Sequence, residues 1–271
     1  MDGNLDSWNI SFQNQNITAI DMLHSDTGTE VAVVLTNDAI NVVFRGTDSD
    51  SDWNINFDYD QEEYRFGLNG KVHSGFQNAT FNDDILGFVE NTIEEATEAF
   101  PNKALRFLGH SKGAAEATLL ASYFATLDPG NRIQVFNYGG PRVGNLDFKN
   151  SLREIENLTI WHVVNDKDIV ARLPPKEWGF LHVGHLLFLR DGGVKAYYQH
   201  LGKDAKYEGI DSTEWGSSIF STKAYNDHVP IQYENAISLA ENNWTTTFEP
   251  SDGRRDTCCF EFIWCWSWCK E

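Results

Sequence analysis

The residues best suited to chemistry lie in the pentapeptide Gly109-His110-Ser111-Lys112-Gly113, which follows one predicted strand and precedes a predicted helix. In this context a Gly-x-Ser-x-Gly pattern is typical of a sharp turn that exposes a serine hydroxyl as a nucleophile. Glycines flank the serine because the neighbouring backbone approaches too closely for a Cβ atom. The first amides of the helix would face a developing oxyanion. The pattern favours Ser111 as a nucleophile; the alternative is an ordinary serine in a tight turn.

A nucleophilic serine needs a histidine base and a carboxylate that orients the histidine. On a strand-turn-helix arrangement of this kind, the chain order is serine, then acid, then histidine. Asp166 and Asp168 both follow the predicted strand at 158–164, and either could be the acid. His228 opens the last predicted helix and is one candidate for the base. Spacing alone also allows three other histidines, which are His182, His185 and His200.

Strands and helices must alternate along the chain to position these groups. Runs rich in β-branched residues and helical spacing of apolar residues predict an α/β fold, with a mostly parallel sheet and helices on both faces. The sequence contains no internal repeat and no Pro- or Gly-rich linker. The strands are predicted at 30–35, 40–45, 104–108, 133–138, 158–164, 186–190 and 194–198, and the helices at 77–99, 112–127, 146–153 and 227–241.

The composition excludes some classes of function. The chain has 271 residues, and its 21 basic and 40 acidic side chains give a net charge of −19, which would repel nucleic acid. We find no apolar run of the roughly 18 to 20 residues that cross a bilayer. The first residues lack the basic and apolar regions of a signal peptide, so the sequence predicts an intracellular protein, soluble or peripheral to a membrane. All four cysteines lie after residue 257, so no disulfide framework is expected in the body of the fold.

Five motifs occur in order along the chain and together resemble the class 3 lipases, the fungal-type family with an α/β-hydrolase fold. The resemblance covers roughly residues 30–240. The motifs are Phe44-Arg45-Gly46-Thr47, Val72-His73-Ser74-Gly75-Phe76, Gly109-His110-Ser111-Lys112-Gly113, the segment 136–145 (FNYGGPRVGN) and the segment 165–175 (NDKDIVARLPP).

The resemblance implies a role for each candidate site residue. It places the nucleophile at Ser111, the acid at Asp168 rather than Asp166, and the base at His228. It makes His182 structural. It assigns the oxyanion hole to Thr47 and the backbone N–H of Lys112, a position where the family usually has leucine. It also implies a short lid after the Phe-Arg-Gly-Thr strand, whose apolar contacts would be Trp53, Ile55 and Phe57.

The resemblance thus predicts a serine ester hydrolase that cleaves acylglycerols or related lipids through an acyl-enzyme. The alternatives are a carboxylesterase, including a feruloyl-type esterase, a phospholipase or galactolipase on the same scaffold, and a non-catalytic lipid-binding scaffold. Seven acids in residues 48–63 would weaken lid binding to anionic bilayers and favour esters presented in water. We expect no cofactor, no metal, no nucleic-acid partner, and at most peripheral contact with a lipid interface.

The end of the chain differs from the rest. We expect a single domain over 1–250 and a Cys/Trp-rich tail over 251–271, in which Phe260, Phe262, Trp264, Trp266 and Trp268 alternate with other residues. In an extended strand these rings would share one face, which could dock on the protein or lie at a lipid interface. Zinc binding by the tail is disfavoured because paired Cys-x-x-Cys spacings are absent.

Overall fold

The computed structural model describes residues 18–26, 28–46, 59–197 and 222–242. The strands there are β1 (Thr18–His24), β2 (Glu30–Leu35), β3 (Ala39–Phe44), β4 (Gln61–Glu63), β5 (Lys71–His73), β6 (Ala104–His110), β7 (Ile133–Tyr138), β8 (Leu158–Asn165), β9 (His185–Arg190) and β10 (Gly193–Tyr197). The helices there are α1 (Ser74–Thr80), α2 (Asp83–Ala99), α3 (Lys112–Leu127), α4 (Leu146–Arg153), α5 (Thr222–Asn226) and α6 (Pro230–Asn242).

The main sheet is mixed, with a parallel centre. Its eight strands within the described residues run in the order β1-β2-β3-β6-β7-β8-β9-β10. Neighbouring strands are parallel from β3 through β6, β7 and β8 to β9. At the edges, β1 with β2, β2 with β3, and β9 with β10 form antiparallel pairs. Because parallel strands end at the same edge of a sheet, the residues after β6 and after β8 lie at one edge, with the end of β7 between them. The turn at Ser111 and the loop at Asp168 therefore share one edge.

Helices cover both faces of the sheet because the buried strands are apolar on both sides. Val31 and Val33 of β2 belong to a core cluster with α2 and α3, whereas Ala32 and Val34 belong to a second cluster that includes residues of α6. This alternation follows from the two-residue period of a strand. A sheet with two apolar faces must bury both, as the predicted α/β fold requires.

The predicted elements are largely confirmed, with two differences. The periodicity at 77–99 predicts one helix, but the chain forms α1 and α2, separated at Phe81 and Asn82. Asn82 has extended backbone angles and accepts a hydrogen bond from the Ile85 N–H, so it caps α2 rather than continuing α1. The predicted helix at 227–241 begins later, at Pro230, because residues 227–229 form a turn after α5. The strands β1, β4 and β5 were not predicted from the sequence.

Several predictions fall outside the described residues. They include the division of the chain near residue 250 and the tail at 251–271. The others are Thr47, His200 and the lid residues Trp53, Ile55 and Phe57.

Candidate active site

Ser111 occupies the sharp turn between β6 and α3 that the glycine pattern predicts. Its φ of 58° and ψ of −129° are a backbone conformation that side chains other than glycine rarely adopt. The Ser111 N–H donates to the Tyr138 carbonyl of β7 at 2.9 Å, which anchors the turn to the sheet. Ser111 is 2% exposed, and its Oγ has no hydrogen-bond partner among the described residues. A strained turn thus carries a hydroxyl that no side chain or backbone group of the described residues engages.

The two glycines around Ser111 are required by close backbone contacts. A Cβ atom on Gly109 would lie 2.1 Å from the Gly113 carbonyl oxygen, and one on Gly113 would lie 2.5 Å from the Phe44 carbonyl oxygen. Both distances are far below contact between non-bonded atoms, and both neighbours are backbone atoms that cannot rotate away. The turn therefore tolerates no side chain at either position.

Asp168 and His228 are brought together although they lie 60 residues apart in the chain. The His228 Nδ1–H donates to both carboxylate oxygens of Asp168, each at 3.0 Å. Asp168 is fully buried and His228 is 9% exposed, so this pair is almost dry. Because the Nδ1 atom of His228 is hydrogen-bonded to Asp168, the other ring nitrogen, Nε2, is the one that can exchange a proton with a substrate or with Ser111.

Two further donors complete the surroundings of the Asp168 carboxylate. The Tyr233 hydroxyl, on α6, donates to Oδ2 at 2.5 Å, and the Val170 N–H donates to Oδ1 at 2.8 Å. Burial raises the pKa of Asp168, but the charge and hydrogen bond of His228 and the hydroxyl of Tyr233 outweigh it, so the net pKa lies below its ordinary value. Burial, reinforced by that carboxylate, raises the pKa of Tyr233 well above its ordinary value, so Tyr233 remains a donor. The acid is therefore held as a carboxylate.

Asp166, the competing acid in the sequence, takes a different position. Its carboxylate lies 2.6 Å from the Lys223 Nζ and 3.5 Å from the Arg190 Nε. Lys223 also lies 2.8 Å from the Asp227 carboxylate, so this group of charges links the acid loop to α5. Asp166 thus pairs with α5, which precedes the turn that carries His228, whereas Asp168 contacts the histidine itself.

The other candidate histidines within the described residues engage different groups. His182 is buried, donates from Nε2 to the Ala171 carbonyl at 2.6 Å, and packs its ring on that of His162 at 4.2 Å. Burial lowers the pKa of His182 well below its ordinary value. His185 lies at the start of β9, with its ring 4.8 Å from that of Trp161. A buried, neutral and bonded His182 fits the structural role that the sequence suggested.

Lys112 directly follows Ser111, and its backbone N–H opens α3. Its side chain extends along the helix toward the next turn, where Nζ lies 3.3 Å from Glu116 Oε1 and 3.5 Å from Thr29 Oγ1. Thr29 in turn donates to the same Glu116 oxygen at 3.0 Å. Burial raises the pKa of Glu116, and the charge of Lys112 offsets only part of this. The lysine is therefore part of a buried polar cluster and is not a freely solvated side chain.

Gly46, the last described residue before Thr47, lies against the Ser111 turn. A Cβ atom on Gly46 would lie 3.1 Å from the His110 carbonyl oxygen and 3.3 Å from Ser111 Cβ. Gly46, two residues after β3, thus packs against the turn that carries the candidate nucleophile.

Two features are absent from the described residues. No group of three or more histidine, cysteine or acidic side chains there is arranged to hold a metal ion. None of the helices there is long and apolar enough to cross a membrane.

His110 is the residue whose position the sequence analysis did not interpret. Its Nε2–H donates to the His228 carbonyl at 2.8 Å, and its ring stacks on that of His228, with centroids 4.6 Å apart. The available signal was its place inside the pentapeptide, next to the serine. Only the three-dimensional fold shows that this position faces the histidine.

Residues 41–178 match the family described as lipase (class 3). This segment is about half of the chain, and it includes Ser111 and Asp168. The chain belongs to the class 3 lipase family.

Individual relatives agree with this assignment. Over 180 residues the chain is 31% identical to a lipase of Rhizopus niveus, covering 65% of this chain and 45% of that protein. Over 165 residues it is 32% identical to the secreted mono- and diacylglycerol lipase 1 of Fusarium solani, covering 60% and 48%. The chain thus spans about half the length of these relatives. The solved structure of lipase II from Rhizopus niveus aligns with a TM-score of 0.65 at 25% identity, over 79% of each chain. The fold is that of the α/β-hydrolases.

Proposed function

We propose that this protein is a serine carboxylic ester hydrolase in which Ser111, His228 and Asp168 form the catalytic triad. The observation that carries the proposal is the buried Asp168–His228 pair at the same sheet edge as a strained serine whose hydroxyl binds no group of the described residues. Family membership supports it, because Ser111 and Asp168 lie within the segment that matches the family.

In the proposed reaction His228 Nε2 takes the proton of Ser111 Oγ as that oxygen attacks the ester carbonyl carbon. Asp168 stabilises the resulting imidazolium through the bond at Nδ1. The tetrahedral intermediate collapses, the C–O bond to the alcohol breaks, and the alcohol leaves with the proton from His228. Water, deprotonated by the same histidine, then cleaves the acyl-enzyme and restores Ser111.

The oxyanion would be bound by the backbone N–H of Lys112 and by Thr47. Support comes from the position of Lys112 at the start of α3 and from the contact of Gly46 with the Ser111 turn. Losing one such donor typically costs about 3 kcal/mol of transition-state stabilisation.

The substrate class we favour is the esters of partial acylglycerols or other amphiphilic esters presented in water, rather than esters packed in an anionic lipid surface. One named relative is a mono- and diacylglycerol lipase. The seven acids in residues 48–63 point the same way, because an acidic cover would be repelled by an anionic lipid surface. A carboxylesterase that acts on short esters is the second candidate, on the same ground.

The proposal is tested with p-nitrophenyl esters from acetate to palmitate, and with monoacyl- and diacylglycerols, below and above the concentration at which each aggregates. We expect Ser111→Ala and His228→Ala to lower kcat by at least about 10⁴-fold, and Asp168→Asn by a similar factor.

Ser122→Ala is the matched control, since Ser122 is a buried serine of α3 that donates to the Thr118 carbonyl, away from the turn. It should keep activity. The substrate with the highest kcat/KM, and any increase on aggregation, separates esterase from lipase. A folded wild-type protein that hydrolyses none of these esters, or a Ser111→Ala variant as active as the wild type, would refute the proposal and favour a lipid-binding scaffold.

A further inference from the structure

His110 links the turn that carries the proposed nucleophile to the residue proposed as its base. It is the last residue of β6 and precedes Ser111 directly. Its side chain crosses to the turn between α5 and α6, where it contacts His228 in two ways: through the bond to the His228 carbonyl and through stacked rings tilted by 26°. His110 also contacts the Tyr233 ring edge-on, with centroids 5.8 Å apart. One side chain therefore touches both the base and the tyrosine that binds the acid.

The bond to Asp168 does not by itself fix the orientation of the His228 ring. Nδ1 is equally distant from both carboxylate oxygens, at 3.0 Å, so the contact holds one atom of the ring but leaves its tilt undetermined. The direction of Nε2 depends on that tilt. The face of the His228 ring packs on the His110 ring, which limits the tilt of the His228 ring. The hydrogen bond from His110 to the His228 carbonyl holds the backbone of His228 in place.

On this basis we propose that His110 is a positioning residue, which aligns His228 Nε2 with Ser111 by holding both the main chain and the ring face of His228. The proposal rests on the proposed function for its kinetic consequence.

The chemistry of His110 suits this role. A carbonyl oxygen only accepts, so the 2.8 Å contact requires the proton of His110 on Nε2. Burial, followed by the neighbouring His228, lowers the pKa of His110 to about 3, so the ring is neutral at working pH. A neutral ring stacks on the imidazolium formed during acyl transfer without charge repulsion. The same neutrality prevents His110 from competing for the proton.

Two substitutions separate the two contacts. His110→Gln keeps an N–H donor and removes the ring, whereas His110→Phe keeps a ring and removes the donor. For both we expect a kcat about 10- to 100-fold below wild type on p-nitrophenyl butyrate, with KM within about threefold, because a misaligned base slows chemistry more than binding. His162→Gln is the matched control, since His162 is equally buried and its pKa is also lowered to about 3 by burial. Its kcat should stay within about threefold of wild type.

A spectroscopic readout distinguishes positioning from general support of the fold. The Nδ1 proton of His228, shared with Asp168, gives a far-downfield proton NMR signal, which should broaden or shift in both His110 variants and stay unchanged in His162→Gln. Circular dichroism and thermal unfolding establish that the variants are folded. Folded His110 variants with kcat within about threefold of wild type and an unchanged His228 signal would overturn the proposal.

The wild-type protein provides a test that needs no substitution and no turnover. Nitrogen-15 NMR of labelled histidine should show His110 as the neutral Nε2–H tautomer from pH 5 to pH 8. A His110 that becomes protonated in this range, or carries its proton on Nδ1, overturns the positioning role even if the variants do not fold. A wild-type protein without esterase activity would instead refute the proposed function, while the NMR results would still test the contact between the two histidines.

Discussion

Replacing Lys112 by methionine removes the cation that faces the fully buried Glu116. Within the described residues, the Glu116 carboxylate has Lys112 at 3.3 Å and the Thr29 hydroxyl at 3.0 Å on Oε1, and its Oε2 has no partner. Breaking a buried pair by removing one member typically costs about 3 to 5 kcal/mol, because the remaining charge is uncompensated.

Proton uptake sets an upper limit on this cost. Glu116 without Lys112 can be neutralised instead of remaining charged, and the free energy of that uptake is about 1.4 kcal/mol for each pH unit above the ordinary glutamate pKa of about 4.3. At pH 7.5 the limit is therefore about 4 kcal/mol. Burial already raises the pKa of Glu116 in the wild-type protein. The wild type therefore already bears part of the free-energy cost of burying this carboxylate, and the difference between variant and wild type is smaller than the limit. We expect Lys112→Met to lower the free energy of unfolding by about 2 to 4 kcal/mol at pH 7.5.

The pH dependence of the loss has a definite sign. A raised folded-state pKa means that the folded protein binds more protons than the unfolded chain above pH 4.3, so stability decreases as pH rises. The deficit of Lys112→Met should therefore grow with pH and nearly vanish below about pH 4.5. In the double variant Lys112→Met/Glu116→Gln the loss of stability should not increase with pH, because glutamine does not titrate.

Urea unfolding of the wild type and both variants at several pH values from 4.5 to 7.5 measures these differences. Lys71→Met is the control, because Lys71 and Glu63 form an exposed pair at 3.8 Å, which should contribute less than about 1 kcal/mol. A Lys112→Met deficit below about 1 kcal/mol at pH 7.5, or one that does not change with pH, would refute the reasoning.

Three other substitutions test separate contacts. Tyr233→Phe removes a donor to Asp168, so the pKa of Asp168 should rise and kcat should fall about tenfold because the acid holds His228 less well; an unchanged kcat would contradict this. His162→Gln removes a buried group with a folded-state pKa of about 3. Because the unfolded histidine binds a proton below about pH 6.5, the wild type should lose about 2 kcal/mol more than this variant between pH 7.5 and pH 5, measured by urea unfolding; equal losses would argue against a neutral His162. Gly113→Ala should destabilise by at least about 2 kcal/mol in thermal unfolding, because its Cβ would lie 2.5 Å from a backbone oxygen of β3. Gly87→Ala on α2, with open space around it, should not; similar melting temperatures for the two would contradict the close contact.

The local features of the candidate site were predictable from the sequence because they depend on near neighbours in the chain. The turn at Ser111 needs glycine at 109 and 113, and the close backbone contacts there explain both. The α/β fold followed from apolar runs whose alternate residues are buried on opposite faces of the sheet. Helix boundaries were less predictable: at Asn82 the apolar period continues, but the side chain caps a new helix.

The choice between Asp166 and Asp168 needed either the family motif or the structure. Both are loop aspartates two residues apart, and nothing in their spacing shows that one is fully buried while the other pairs with Lys223. Burial and pairing depend on where α5 and α6 pack, which no local pattern encodes.

The sequence by itself thus predicted the fold class, the turn of the candidate nucleophile and the candidate acid, because each has a short-range pattern or belongs to an ordered set of motifs. Tertiary structure alone decided that His110 supports the ring of His228 and that Lys112 faces the buried Glu116. The first contact joins residues 118 positions apart. The second joins neighbours on one helix, but the buried Glu116 also accepts a hydrogen bond from Thr29. Thr29 directly precedes β2 and lies 87 positions away in the chain. Such contacts arise from the packing of distant elements, and a linear pattern of residue types does not specify them.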